Sequence, residues 1–419
     1  MAILRLALYS LLNRRFTALL TLFSIALSVA LLLGVERIRG EARTSFANTL
    51  SGTDLIVGAR TGPVPLMLYS VFRIGNATNN ISWQSYQEIA AMPRVAWTVP
   101  LSLGDSHRGF PVLGTSRAYF DHYRYGRDKP LRLAKGARFA DLYDAVLGAE
   151  VAAQLGYRLG DAIILAHGAS DVSFARHDDK PFRVVGILER TGTPVDRSVH
   201  VSLEAIEAIH LGWEGGAPMR GREIDAERAG RMDLTPKAIT AALIGLDSRI
   251  ATFAVQRAIN EYPQEPLLAV IPGVALSQLW SLIGLAENAL LVISACVLLV
   301  GLIGMLTSLL IGLEGRRREL AILRSVGARP AQLFGLITGE ALLLTLLGIL
   351  LGGLILTALF RLGQPLLEAQ LGLHLGLGTP QPREWLLLSA LLATGFLVGL
   401  IPGWRAYRMS LSNGLSLRL

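Results

Sequence analysis

Four stretches without charge constrain this 419-residue chain more than any other feature. Phe16 to Val35 runs for 20 residues without a charged side chain, Asn288 to Leu313 for 26, and Trp385 to Trp404 for 20. Pro330 to Phe360 runs for 31 residues broken only by Glu340. A hydrocarbon core about 30 Å thick is crossed by about 20 helical residues rising 1.5 Å each, so every stretch can span it. Helices of globular proteins average about 10–14 residues, and four apolar runs of this length do not fit a soluble protein. Trp385 and Trp404, at the two ends of the last stretch, suit the membrane–water interface. Composition agrees. Charged residues make up 17% of the chain, against about 25% in soluble domains, and 52% hydrophobic residues exclude intrinsic disorder.

The first stretch follows Arg5, Arg14 and Arg15, as a signal peptide would. It is longer than the roughly 7–15 residues of a signal-peptide apolar region, and no small-x-small cleavage site precedes the charged Glu36–Arg43 segment. It is expected to remain as an anchor.

Net charge then sets orientation. The chain carries +8, which by itself suggests a polyanionic partner. With a cytoplasmic N-terminus, segments 1–15, 314–329 and 405–419 share one side of the membrane. They hold eleven of the 40 basic residues and two of the 32 acidic ones, a net of +9, while the other 29 and 30 leave −1. The excess is confined to short flanks on one side, as positive-inside topology requires, and nucleic acid loses its support as a partner.

The expected fold is an α-helical membrane protein with four transmembrane helices and a large α+β extracytoplasmic domain inserted between the first and second. Its parts are a cytoplasmic amphipathic helix (1–15), the spans 16–35, 288–313, 330–360 and 385–404, and the insert 36–287. A cytoplasmic helix (314–329), a short outer loop (361–384) and a cytoplasmic tail (405–419) complete the plan. Leu4, Leu8, Leu11 and Leu12 form the apolar face of the first helix. Arg37–Leu50 and Val274–Ala286 are expected to prolong the flanking spans as a stalk. Within the insert, strands are expected at Asp54–Val57, Val95–Leu101, Ala162–Ala166, Phe182–Leu188, Ile239–Leu246 and Leu267–Ile271. Helices are expected at Ser82–Met92, Glu150–Leu155, Ser202–His210 and Ser248–Glu261, the last capped by Ser248. Loops are expected around Thr61–Pro65 and over Trp213–Met232, the latter mobile. The lone Cys296 falls in a span, so no internal disulfide can form.

No nucleotide-binding or covalent-catalysis motif occurs: neither a Walker A loop, a G-x-G-x-x-G, an H-E-x-x-H nor a G-x-S-x-G. Any use of ATP therefore requires a second polypeptide. His167, Asp171, His177, Asp178 and Asp179 form the densest group of metal-ligand types, with His200 and His210 further on. Imidazole and carboxylate suit zinc, but the spacing matches no standard motif and fits a solvated hairpin loop. His167 and His177 are weak metal candidates only.

The most specific segment is Glu314–Arg329. Arg316, Arg317, Arg318, Glu319 and Arg324 supply polar contacts, and Leu320, Leu323 and Gly327 lie near helical spacing with Ile322 and Val326 beside them. Arginines that served only to set topology would need neither Glu319 nor the apolar stripe, so this reads as a short amphipathic helix along the membrane surface. Glu340 lies about 10 residues into the third stretch. A carboxylate deep in lipid costs about 2.5–3.5 kcal/mol unless paired or near the edge. It is expected to face protein, within reach of an arginine of 316–329, or to lie at the interface.

Together these features resemble the permease subunits of the MacB/FtsX/LolC-type ABC transporters, FtsX-like permeases with a MacB-like periplasmic core domain. Arg317-Arg-Glu-Leu-Ala-Ile-Leu-Arg-Ser-Val-Gly-Ala328 resembles the family's cytoplasmic loop closely, and Ala331–Phe334 and Glu340 resemble the start of its third span. Ile401-Pro-Gly-Trp-Arg-Ala-Tyr-Arg408 resembles the end of the fourth span. Val146–Ala153, Gly160-Asp161 and Val184–Leu188 are similar to the core domain. The resemblance implies two permeases, identical or not, in a bacterial inner membrane, joined to two copies of an ABC ATPase that binds ATP and Mg. This chain would hold no cofactor. Residues 316–329 would be the coupling helix, and ATP hydrolysis would do work on a periplasmic substrate by mechanotransmission. Lipoproteins, lipids, peptides and toxic compounds are candidate substrates, a periplasmic adaptor or substrate protein a possible partner, and membrane lipid the surroundings. Two alternatives remain: FtsX-like signalling to a cell-wall hydrolase, which the 250-residue size of the insert disfavours, and a membrane-anchored metal sensor or enzyme.

Overall fold

Each uncharged stretch lies inside one long helix. The computed structural model describes residues 15–167, 180–214, 217–218, 224–371 and 382–408. α1 (Arg15–Asn48) carries the first stretch and continues past it. The insert contributes α2 (Pro63–Ser70), α3 (Trp83–Ala90), α4 (Ala149–Leu155), α5 (Leu203–His210) and α6 (Thr252–Asn260). α7 (Pro272–Gly315), the short α8 (Arg317–Ser325), α9 (Pro330–Leu371) and α10 (Pro382–Arg408) complete the series. α1, α7, α9 and α10 are long and apolar enough to cross a membrane. α9 runs eleven residues beyond the uncharged stretch that ends at Phe360, through Arg361. The chain forms two compact units, Arg43–Ile283 and the remainder, divided inside α1 and α7.

In the helical unit, small residues let backbones approach. A Cβ at Gly395, Gly399 or Gly403 of α10 would fall 2.3–2.5 Å from Thr345, Ala341 and Thr338 of α9. The α9 partners descend in number as the glycines ascend, so the two helices run antiparallel along a stripe of glycines four apart. Lipid tails are as apolar as leucine, so close van der Waals contact of this kind, not water exclusion, holds helices together in a bilayer. Gly348 and Gly352 of α9 likewise admit Ile25, Ala26 and Val29 of α1. Ion pairs then join the helix ends. Arg39 Nε lies 2.7 Å from Glu287 Oε2, Arg37 Nε 3.5 Å from Glu384 Oε1, and Arg383 Nε 3.2 Å from Glu36 Oε1. All three carboxylates are buried, and the pairs tie α1 to α7 and to α10.

The inserted unit is built on a mixed sheet. Its strands are β1 (Leu55–Ala59), β2 (Val95–His107), β3 (Phe110–Thr115), β4 (Leu133–Gly136), β5 (Asp144–Leu147), β6 (Phe182–Leu188), β7 (Val199–Ser202), β8 (Ala241–Leu246) and β9 (Leu267–Val270). Their spatial order is β9-β1-β8-β2-β3-β7-β5-β6-β4, parallel only at β3–β7 and β5–β6. The all-buried β1 reads as an unbroken apolar run because both its faces are covered. α3 and α6 bury Ile89, Val255 and Ile259 against β1, β8 and β9. α4 and α5 bury Val151, Ile206 and Ile209 against β3, β5, β6 and β7.

Several expectations change. Pro63 and Pro65 open helix α2 where a loop was expected, since proline suits a first turn whose N–H groups need no partner. Ser248 does not cap α6: a 3₁₀ turn at Arg249–Ala251 intervenes, and its Arg249 carbonyl accepts from Thr252 Oγ1 at 2.8 Å. Ala162–Ala166 splits into Ala162–Ile163 on β6 and Ala166–His167 on β2. Ser82 and Ser202 do cap α3 and α5 through Ser85 N–H and Ala205 N–H. The first 14 residues, Asp171, His177, Asp178, Asp179, part of Trp213–Met232 and the tail after Arg408 lie outside the described residues.

Packing and burial each make an outcome measurable. Gly399→Leu overpacks the α9–α10 contact and is expected to cost about 1–3 kcal/mol, read as a lower unfolding temperature in detergent; Gly353→Ala, in open space, should be tolerated. His200 on β7 is fully buried, and burial, aided by nearby Arg73, pushes its pKa down to about 3 against the bond to the Val146 carbonyl. The folded state keeps it neutral while the unfolded chain protonates near the ordinary value of about 6.5. Its contribution is therefore complete above about pH 6.5 and is lost as pH falls towards 3, at up to about 1.4 kcal/mol per pH unit. His200→Asn, which keeps an N–H for Val146, should flatten that acid limb in thermal unfolding followed by circular dichroism.

Candidate functional site

α8 joins two spanning helices, and its sequence dictates both its limits. Gly315 ends α7 and Arg316 is the N-cap of α8. At the other end the Gly327 N–H donates to the Arg324 carbonyl at 3.1 Å and the Ala328 N–H to the Leu323 carbonyl at 3.0 Å. That pair of bonds is a Schellman motif, and Gly327 occupies its left-handed position at φ 107°. Pro330 then opens α9, and Gln332 Oε1 accepts from Arg329 N–H at 2.9 Å. Gly327 therefore acts as a stop between two helices.

The apolar residues of α8 divide into two sets. Leu320 is 1% exposed and packs with Leu313 of α7, Leu333 and Ile337 of α9 and Ala406 of α10, with Ala321 buried beside it. Leu323, expected on the same stripe, is instead exposed, together with Ile322 at 50% and Val326 at 83%. One face of α8 is held by the ends of three membrane helices. The other presents three apolar side chains away from them.

Charges complete the arrangement. Arg316 Nη1 donates to Glu340 Oε1 of α9 at 3.0 Å, and Arg316 Nε to Glu319 Oε2 at 3.1 Å. Glu340 is 5% exposed, so its carboxylate is supported by protein, not lipid. Thr17, Ser308 and Gly312 line a small cleft beside this pair. Arg317 pairs with Glu314 at 2.5 Å; Arg317, Arg318 and Glu319 are exposed and Arg324 half-buried. Of the residues singled out in the sequence, Arg316, Leu320 and Glu340 thus converge on the bundle end, whereas Arg317, Arg318 and Leu323 point outward. Ile322 and Val326 held only a subordinate place in the sequence pattern. Their three- and four-residue spacing from Glu319 and Ile322, off the Leu320 face, was the available signal.

The described histidines have separate surroundings. His200 is enclosed beside Tyr119, and His210 Nε2 lies 3.4 Å from Asp105 Oδ1. His167 pairs in strand register with Asp105, and His177 is outside the described residues. Among the described residues no three histidine, cysteine or acidic side chains group as metal ligands.

Breaking the buried pair at the bundle end leaves one charge uncompensated. Glu340→Ala or Arg316→Ala is expected to lose about 3–5 kcal/mol, measured as reduced folded yield and unfolding temperature, while Arg318→Ala stays close to wild type.

Comparison with known proteins gives two family matches. The MacB-like periplasmic core domain matches residues 18–262, more than half of the chain, and the FtsX-like permease C-terminal region matches residues 291–412. Among solved structures, the chain is similar to the periplasmic region of MacB from Actinobacillus actinomycetemcomitans. That match has 10% identity over 55% of this chain and 94% of that one, with a TM-score of 0.33. It is also similar to the extracellular domain of the noncanonic ABC-type transporter YknZ from Gram-positive bacteria, at 13% identity over 52% and 99%, with a TM-score of 0.30. No curated protein matches. With four membrane-length helices among the described residues and a MacB-like core domain inserted in sequence after the first, the chain belongs to the MacB/FtsX-like family of ABC transporter permeases.

Proposed function

We propose that this chain is the permease of an ABC transporter whose ATPase is a separate polypeptide docked on α8. The observation behind this is the exposed face of Ile322, Leu323 and Val326 on a helix whose opposite face is fixed by Leu320 and by Arg316–Glu340. An apolar surface bordered by Arg317 and Arg318 suits a protein partner better than water. A helix fixed on one side passes a push on the other to the spanning helices that it touches. α1 and α7 continue from those spans into the inserted unit, which gives motion at α8 a covalent route to the MacB-like domain.

In this reading α8 and both chain ends are cytoplasmic, in accord with the clustering of arginines there, and the inserted unit is periplasmic. ATP and Mg are bound by the ATPase, and a second permease completes the dimer. The work done is export or extraction of a lipoprotein, lipid, peptide or toxic compound. The size of the inserted unit supports this over signalling to a hydrolase.

The test is co-purification with the co-expressed ABC ATPase. Ile322→Glu with Val326→Glu should weaken association roughly thirtyfold, the scale of an interface hot spot, and abolish any change in ATPase rate caused by the permease. Folding should be preserved, because neither side chain packs in the bundle. Unchanged association and ATPase rate in the double variant would refute the docking site.

A further inference from the structure

The inserted unit contains a cleft that the coupling reading does not use. It is open to solvent and holds about 190 Å³ between the segment after α2 and the β2–β3 hairpin. Leu103, Pro111 and Val112 form an apolar wall, and Arg73, Asn76 and Gly104 lie around it. Nothing lies within 4 Å of the position a Cβ would take at Gly75 or Gly104, so the backbone there is open.

Arg73 is the basic residue among those lining the cleft. It holds a left-handed backbone at φ 60°, and its Nη1 donates to the Ser70 carbonyl. Its Nε is buried without a hydrogen-bond partner, and among the described residues no carboxylate pairs with it. Behind it lie Tyr119 and His200, both fully buried, and the Tyr119 hydroxyl hydrogen-bonds with the guanidinium. His200 Nδ1 faces the Val146 carbonyl at 3.2 Å, and His200 Nε2 is buried without a partner. Neither ring brings a negative charge to the guanidinium. The carboxylate lining the cleft, Asp105, is met by His210 at 3.4 Å. A partly exposed guanidinium beside open backbone, with no carboxylate against it among the described residues, matches a carboxylate or a phosphate in charge.

We propose that this cleft binds the oxyanion group, a carboxylate or a phosphate, of a small ligand whose apolar body rests on Leu103, Pro111 and Val112. Arg73 holds the anion, and the apolar wall selects the group attached to it. The site lies wholly within the inserted unit and stands whether or not α8 docks an ATPase.

Calorimetric titration of the full-length protein in nanodiscs tests this with inorganic phosphate, N-acetyl-leucine and N-acetyl-leucinamide. At least one of the two anions should bind at millimolar concentration or below, and the neutral amide should not. Binding by phosphate alone assigns a phosphate ligand; tighter binding by N-acetyl-leucine assigns a carboxylate with an apolar body. Arg73→Gln should weaken binding about tenfold or more, and Arg73→Lys less. Asn76→Asp adds a negative charge at an exposed rim without touching the core, and should also weaken it about tenfold. This variant keeps the test open if Arg73→Gln fails to fold. The proposal is overturned if neither anion binds, if the amide binds as tightly, or if Asn76→Asp binds like wild type.

Discussion

The cost of leaving an ionised side chain in hydrocarbon governs the helical unit. It clears four stretches of charge and forces the remaining charges to the helix ends, where each needs a partner. Glu36, Glu287 and Glu384 are buried, yet each meets an arginine. Glu340, in the apolar stretch of α9, meets Arg316. Pairing that relieves the cost also fixes which helices adjoin, because the partners come from different segments. Removing either partner of such a pair would leave a buried charge uncompensated.

Between those ends packing has a different source. Lipid gives apolar side chains no reason to leave it, so contact depends on how closely backbones approach. Glycines at 395, 399 and 403 on α10, and at 348 and 352 on α9, supply that approach. The inserted unit obeys the opposite rule. Its helices cover a sheet whose strands are apolar on the covered faces, and water exclusion is the driving force. One chain thus uses two solvents and two kinds of cohesion, with α1 and α7 continuous between them.

The position of α8 shows how one short amphipathic helix can serve two surfaces. Leu320 and Ala321 satisfy the bundle, and Arg316 pairs with the buried Glu340. Ile322, Leu323 and Val326 are left over. Gly327 and Pro330 stop one helix and start the next within four residues, which leaves α8 little freedom to lengthen or shift register.

Hydrophobic length and charge asymmetry are local properties that need no partner to be read. The membrane-length helices and the place of the insert were therefore legible in the amino-acid order, and the family through the resemblance of segments such as 317–328 and 401–408. A short helix between the second and third spans was legible too, as was the need of Glu340 for support, since the cost of a lone carboxylate is independent of fold. Which arginine meets Glu340, which apolar residues of α8 face inward, and that Pro63 begins a helix were settled in three dimensions. Each depends on what a distant segment brings alongside: Ala406 and Leu333 beneath Leu320, Arg316 beside Glu340, and the sheet beneath α2. The same holds for the cleft around Arg73. Its residues lie some 30 positions apart on two segments of ordinary composition, and only the folding of β2–β3 against the end of α2 brings them around one cleft.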